Sequence, residues 1–413
     1  WLGPLRLRAI EAFAGLGFPS TRVEEWKYTD VSPALRTEWA RSKAGCERVN
    51  FEHLEALQAP EASGIYLVFI DGNYCRELSS VRDLPAGVVA GDFRAIAGSP
   101  HGDSVRNAFG SIAPVQSEAF VALNTAMTDG GAFVAVPADC EVPGAVHVVY
   151  LSGGAVEPAA SHPRTLVVAG ANSGVRIIET FASVDGGAAL TNAVAEFVLA
   201  EGARVEHYRV QRESAASFHI GSTDVRVSSS ARYGSVAISI GAAIARHDLR
   251  VALVEEGAEC QIDGLYVTDD GQHADSHTRV DHLVPHCSSS QLYKGVLDGA
   301  SRAVFNGKVV VHHDAQKTEA HQTNRNLMLS TAARVDTKPE LEIFADDVVC
   351  THGATVGALE DEERFYLASR GLDEETARGL LTYGFAREII DEIRTDSVRQ
   401  HLDEVLIARF QRG

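Results

Sequence analysis

"AEGARVE" at 200–206, "EEGAECQ" at 255–261 and "LDGASRAV" at 297–304 are variants of one phrase: a polar turn holding a glycine, followed by a short strand-like run. Around these phrases, from roughly 120 to 345, lie "AFVAVP", "AVHVVYL", "TLVVAG", "VRIIETF", "AEFVLA", "RVEHYRVQ", "VAISIGA", "LRVALV" and "KVVVHH". Gly, Asn, Asp or Ser separate them, and the 3.6-residue periodicity of a helix is nearly absent. Such a stretch is all-β: a sandwich, a barrel or a solenoid. Coils of a parallel β-helix stack about 4.8 Å apart, so similar phrases recur without a strict period. The uneven spacing here favours the solenoid, with a large sandwich as the alternative.

The two ends read differently. "LRLRAIEAFAGLG" is a short helix closed by Gly17 and Pro19, and "GIYLVFIDGNYCREL" is a hairpin turning on Asp71-Gly72. After about residue 360 the pattern is helical. "DEERFYLASRG" ends at Gly371, and the next helix carries Ala377, Leu381, Phe385 and Ile389 four apart on one face. Ser397 is placed to cap a last helix with a stripe of Val398, Leu402, Val405 and Leu406.

At 413 residues the chain exceeds what one compact core usually serves, so two or three units are expected. A formal charge of −19 argues against nucleic acid or anionic lipid as the main partner, because both select a positive surface. No apolar run is long enough to span a membrane, and "WLGPLRLRAIEAF" has no signal-peptide pattern. A cytoplasmic location is the expectation. The chain starts without an initiator Met, which leaves organellar targeting open. Cysteines at 46, 75, 140, 260, 287 and 350 contain no CxxC and match neither a disulfide scaffold nor a complete iron–sulfur or zinc signature. A reducing compartment is the simplest reading. Without GxxxxGK[ST], the chain is not expected to hydrolyse ATP by a P-loop mechanism.

The most informative candidate chemistry is "CTHGATVG" at 350–357. If "ELEIFADDVVCTH" continues as a strand, Cys350 and His352 share a face and Thr351 takes the other. Thiolate and imidazole suit zinc or iron, which normally take about four ligands, so one strand offers half a site. Ordinary strand-end packing is the competing reading. Histidines at 273, 277, 282 and 286 (the last beside Cys287), and at 312, 313 and 321, read as solvated or hydrogen-bonded strand residues rather than ligands. No HExxH or GxSxG is present. "TRVEEWKYTD" at 21–30 mixes Trp26 and Tyr28 with charges, either as a partner face or, preferably, as an anchor for the N-terminal helix.

"RVEEWKYTD", "FVALNTAMTDGGAFVAVP" (120–137), "NRNLMLSTAARVDTKPELEIFADDVVCTHGATVG" (324–357) and "FYLASRGLDEETARGLLTYGFAREIIDEI" (365–393) resemble the SufB/SufD family of iron–sulfur cluster assembly proteins. The likeness is to the SufD side, since SufB is longer, richer in cysteine and acidic near the place of His352. The resemblance implies a mainly β protein: a right-handed parallel β-helix flanked by a mixed α/β N-terminal region and a C-terminal helical domain. The implied boundaries are 1–115, 116–350 and 351–413.

It further implies a non-enzymatic scaffold in a SufBCD complex, paired through the β-helix with a SufB-like subunit or, when isolated, with a second copy. The C-terminal helices would dock a SufC-like ABC ATPase through 360–393, with Tyr366, Arg370, Leu372 and Tyr383 as anchors. ATP would enter only through that partner. His352 would help hold iron or a nascent cluster shared with the SufB-like subunit, with Cys350 its neighbouring thiol, and no tightly bound cofactor is implied for the chain alone. Two alternatives stand beside this: a carbohydrate-active β-helix lyase or esterase, for which Asp346 and Asp347 would make a poor pair, and a purely structural β-helix.

Overall fold

In the computed structural model, residues 1–41, 46–55, 64–153 and 157–411 are described. Segments 42–45, 56–63, 154–156 and 412–413, which touch all three expected regions, lie outside that description. From Gly131 to Gly357 the chain alternates between two sheets. One runs through Ile244–Leu253, His273–His282, Arg302–Val311 and Arg334–Ile343, the other through Glu259–Thr268, Ser288–Leu297, Glu319–Met328 and Val349–Gly357. Every described pairing between strands after residue 130 is parallel, including Glu319–Met328 with Val349–Gly357. The middle is therefore a parallel β-helix and not a sandwich.

The turn phrases explain the winding. Gly202, Gly257 and Gly299, the glycines of the three opening phrases, all have left-handed backbone, with φ of 65°, 72° and 56°. A side chain is costly at such a corner, which is why glycine recurs there. Asn172 and Ser230 take the same conformation on neighbouring coils. The corners are then stitched along the axis, Asn172 N–H to Glu201 O, Gly202 N–H to Ser229 O and Ser230 N–H to Glu256 O, at 2.8–3.1 Å. Inside, one apolar core extends from Ile65 and Val134 through Phe181, Val205 and Tyr233 to Val280 and Cys287.

The N-terminal region closes one end. Helix Gly3–Leu16 stops at Gly17 (φ 66°), and strand Ile65–Ile70 turns through Asp71 and Gly72, both at positive φ, into Asn73–Tyr74. Trp26 is buried against Phe120, and the Arg246 guanidinium lies 3.8 Å over its ring. Thr29 donates to Asp275 Oδ2 at 2.5 Å. The 21–30 segment is thus an anchor onto the β-helix. A second tie is Glu196, whose carboxylate accepts backbone N–H groups of Gly110, Ile112 and Ala113 and pairs with the fully buried Arg164.

The C-terminal helices pack on the outer face of the second sheet. Ala386, Ile389, Ile390, Leu402 and Leu406 meet Val210, Ile238, Leu265 and Val296. Two details differ from expectation. In helix Glu374–Ile390 the buried face is Ala377, Thr382, Ala386, Ile389 and Ile390, while Leu381 and Phe385 are half-buried. A strict spacing of four drifts around a helix of 3.6 residues per turn, so the true face mixes steps of three and four. Ser397 is not a cap: the last helix spans Asp396–Phe410 with Thr395 at the N-cap, and Ser397 lies inside the first turn. A third difference concerns cysteine. Cys46 and Cys75 form a disulfide across a sequence separation of 29, which places them together only through the fold.

Candidate functional site

The last coil leaves an open end. Strand Arg334–Ile343 ends one sheet and Val349–Gly357 ends the other, and among the described residues each has a paired neighbour on one side only. The expected single strand through Cys350 is in fact two, because residues 344–348 turn the chain from the first sheet to the second. Asp346 and Asp347 lie in that turn, with Asp347 paired to Lys317, so they form no catalytic pair on a strand. Ile343, Phe344, Val349 and Val356 are 41–61 % exposed at this end. Unpaired backbone beside exposed apolar side chains is the usual form of a strand-pairing surface.

Registration settles where Cys350 and His352 point. Cys350 is paired with Ala320 and His352 with Gln322. Both partners are buried, and residues in register on parallel strands share a face, so Cys350 and His352 face the interior row at the open rim. Thr351 takes the outer face, where its hydroxyl lies 2.8 Å from His321 Nδ1. Cys350, like Leu341 and Val348, packs against the buried cluster of Val309, Val311, Ala315, Ala320 and Ala345, and burial pushes its thiol above the ordinary range. The His352 ring is exposed and makes no hydrogen bond among the described residues. Together they offer one sulfur and one imidazole nitrogen on one face, a pair of donor types that iron or zinc accepts.

Apart from His286, the other histidines singled out in the sequence have local partners. His273 Nε2 is 2.8 Å from the Thr29 hydroxyl, His277 pairs with Asp275, and His282 Nε2 is 2.9 Å from the Ser289 hydroxyl. His286 sits at a positive-φ corner, and Cys287 is buried with its thiol toward Glu255 O. His312 reaches Asp281, His313 reaches Asp314 and His321 reaches Glu319. The described residues contain one cluster with metal-ligand proximity, Cys46, Cys75 and Glu77, but two of its three donors are bonded to each other.

What sequence reading missed is the polar interior beneath the rim. In "AHQTNRN", Gln322, Asn324 and Asn326 occupy the inward positions where a strand core is normally apolar. Asn324 donates to Tyr293 O, Asn326 to Asn324 Oδ1, and Thr337 also donates to Asn324 Oδ1. Period-two placement of amides was the available signal. The helical face was only partly legible as well. Tyr366 is exposed with Arg370 over its ring, Leu372 is half-buried, and Tyr383 is tied to Asp403. Phe365 and Leu380, at 76 % and 50 % exposure, are the larger apolar side chains left outward.

Comparison with known proteins agrees with this architecture. Residues 150–385 match the model of the SUF system FeS cluster assembly SufBD core domain, and residues 1–148 match that of the SufBD protein N-terminal region. An iron–sulfur cluster assembly SufBD family protein of Synechocystis is 36 % identical, covering 98 % of this chain and 90 % of the relative. The iron–sulfur cluster assembly protein SufD of Escherichia coli is 30 % identical over 97 % of this chain and 91 % of its own. Protein ABCI7, chloroplastic, of Arabidopsis thaliana is 32 % identical over 97 % and 86 %.

Proposed function

The chain belongs to the SufBD family of iron–sulfur cluster assembly proteins, and from that premise we propose how its open end and its helices serve the assembly machinery. It is a non-catalytic scaffold of that machinery. The observation that carries the reading is the unpaired rim that presents Cys350 and His352 together. A SufB-like subunit pairs along this rim, continuing both sheets and completing the half shell with its own donors. In the isolated chain the same edge is free for a second copy. Iron or nascent cluster is cargo at this seam, and His352 is its ligand from this side, with Cys350 beside it.

The SufC-like ATPase docks on the C-terminal helices. Helix Asp361–Ser369 buries none of its residues, and Phe365 and Tyr366 point outward with Arg370. Aromatic and Arg side chains are the usual anchors of an interface. The complex works in the cytoplasm or its organellar equivalent; no helix among the described residues is long and apolar enough to cross a membrane.

The test is co-expression of the three proteins with His352→Ala or Cys350→Ser. The His352 variant should keep the subunit stoichiometry and lose most cluster absorbance and bound iron. An intact complex with normal iron content would refute the site. Cys350→Ser should cost less if that thiol only packs against the buried cluster of Val309, Val311, Ala320 and Ala345 without ligating.

A further inference from the structure

The inward row of the second sheet runs Ile262, Gln291, Gln322, His352 in successive coils. Its amides are joined head to tail. Gln291 Nε2 donates to Thr278 Oγ1 at 2.5 Å, and Gln322 Nε2 donates to Gln291 Oε1 at 3.0 Å. The Gln291 donor thus crosses to the facing sheet, the Gln322 donor reaches back to the earlier coil, and the Gln291 oxygen accepts from the coil that follows it. For Gln322 the following coil carries His352. Gln322 is 2 % exposed, and its Oε1 is buried without a hydrogen-bond partner among the described residues. A buried acceptor left unpaired carries its full desolvation penalty, so a donor on the next rung is favoured. Adjacent strands are about 4.8 Å apart, so a rotamer of the exposed His352 that turns its ring inward would set an imidazole N–H against that oxygen. The neighbouring rung is different: beneath Cys350 lies Ala320, which has no polar side-chain atom.

We propose that Gln322 is the positioning residue of His352: its side-chain oxygen accepts the imidazole N–H that faces the interior, holding one tautomer and turning the other nitrogen outward as the lone-pair donor. This rests on the reading of His352 as the ligand for iron. A ligating histidine commonly donates its second ring N–H to a carbonyl or carboxylate, which fixes the ring and raises its basicity. The Thr278–Gln291–Gln322 chain then acts as the rigid support of a residue that is otherwise exposed on an edge strand. No proton or electron is consumed; the amide only selects which nitrogen is free.

The test uses the full chain, metal-free and in the three-protein complex. Gln322→Met keeps the volume and removes the acceptor; Gln322→Glu keeps an acceptor. Histidine ring ¹⁵N shifts in the selectively labelled metal-free chain, assigned with His352→Ala, report the tautomer. Gln322→Met should convert His352 from one dominant tautomer to a mixture, and Gln322→Glu should restore a single form. In the complex, iron(II) affinity should fall about 10–100-fold in Gln322→Met. An unchanged His352 tautomer in Gln322→Met overturns the inference. Normal iron binding by His352→Ala would instead overturn the ligand reading, and the tautomer result in the metal-free chain would still decide the role of Gln322.

Discussion

Removing the Glu196 carboxylate should loosen the N-terminal region from the β-helix. The oxygens of Glu196 accept from Gly110 N (2.8 Å), Ile112 N (3.1 Å) and Ala113 N (3.1 Å), and from Arg164 Nε (3.1 Å). Side-chain exposure is 1 % for Glu196 and 0 % for Arg164. Glu196→Leu leaves a buried guanidinium without its counter-ion, a loss of about 3–5 kcal/mol for breaking a buried pair from one side. Arg164 keeps hydrogen bonds to Asn124 Oδ1 and Thr125 Oγ1, but the N–H groups of Gly110, Ile112 and Ala113 lose their acceptor, which places the expected loss near the upper end. Arg164→Met should cost a similar amount by stranding the carboxylate, softened by the three backbone donors that remain. The double variant replaces both charges with apolar groups and should be less damaging than the sum, by a coupling of about 1–3 kcal/mol. Urea unfolding of the four chains, followed by a probe in the N-terminal region and one in the β-helix, measures this. Additive losses would show that the pair is not a unit and would refute the reasoning.

Three further outcomes are expected. Burial raises the Asp263 carboxyl from 3.8 to about 6, so its stabilising protonated form is complete below the unfolded value and lost as pH climbs through 6. Asp263→Asn should therefore raise stability at pH 7.5, by at most about 3 kcal/mol, and change little at pH 3.5; a pH-independent difference in Tm would contradict this. Phe365→Glu with Leu380→Glu should weaken ATPase capture more than tenfold while leaving pairing along the rim intact, as read by co-purification; equal capture would place the ATPase elsewhere. Cys46→Ser with Cys75→Ser should lower stability by about 3–4 kcal/mol, as expected for closing a loop of about 30 residues, and reductant should mimic it in the parent chain alone; equal sensitivity of both chains to reductant would argue against the bond.

Much of this protein is local, and local patterns are what a sequence displays. The glycines of the recurring phrases announce corners because left-handed backbone excludes most side chains at Gly202, Gly257 and Gly299. Alternation predicts that Cys350 and His352 share a face, and that holds even though the chain changes sheets at 344–348, because period two restarts within the new strand. Other features depend on which residues meet across coils, and no spacing along the chain encodes that. The Cys46–Cys75 bond, the Glu196 tie to residues 110–113 and the packed face of helix Glu374–Ile390 arise from contacts between distant segments. The register that sets His352 on Gln322 is likewise a property of stacking: a one-residue slip would turn His352 outward and put Thr351 over the amide ladder. Sequence alone determined that a histidine and a cysteine stand together near the end of a coiled β body. Only the tertiary structure decided that this coil is the last one, so that their edge is open and the histidine stands in register with a buried amide.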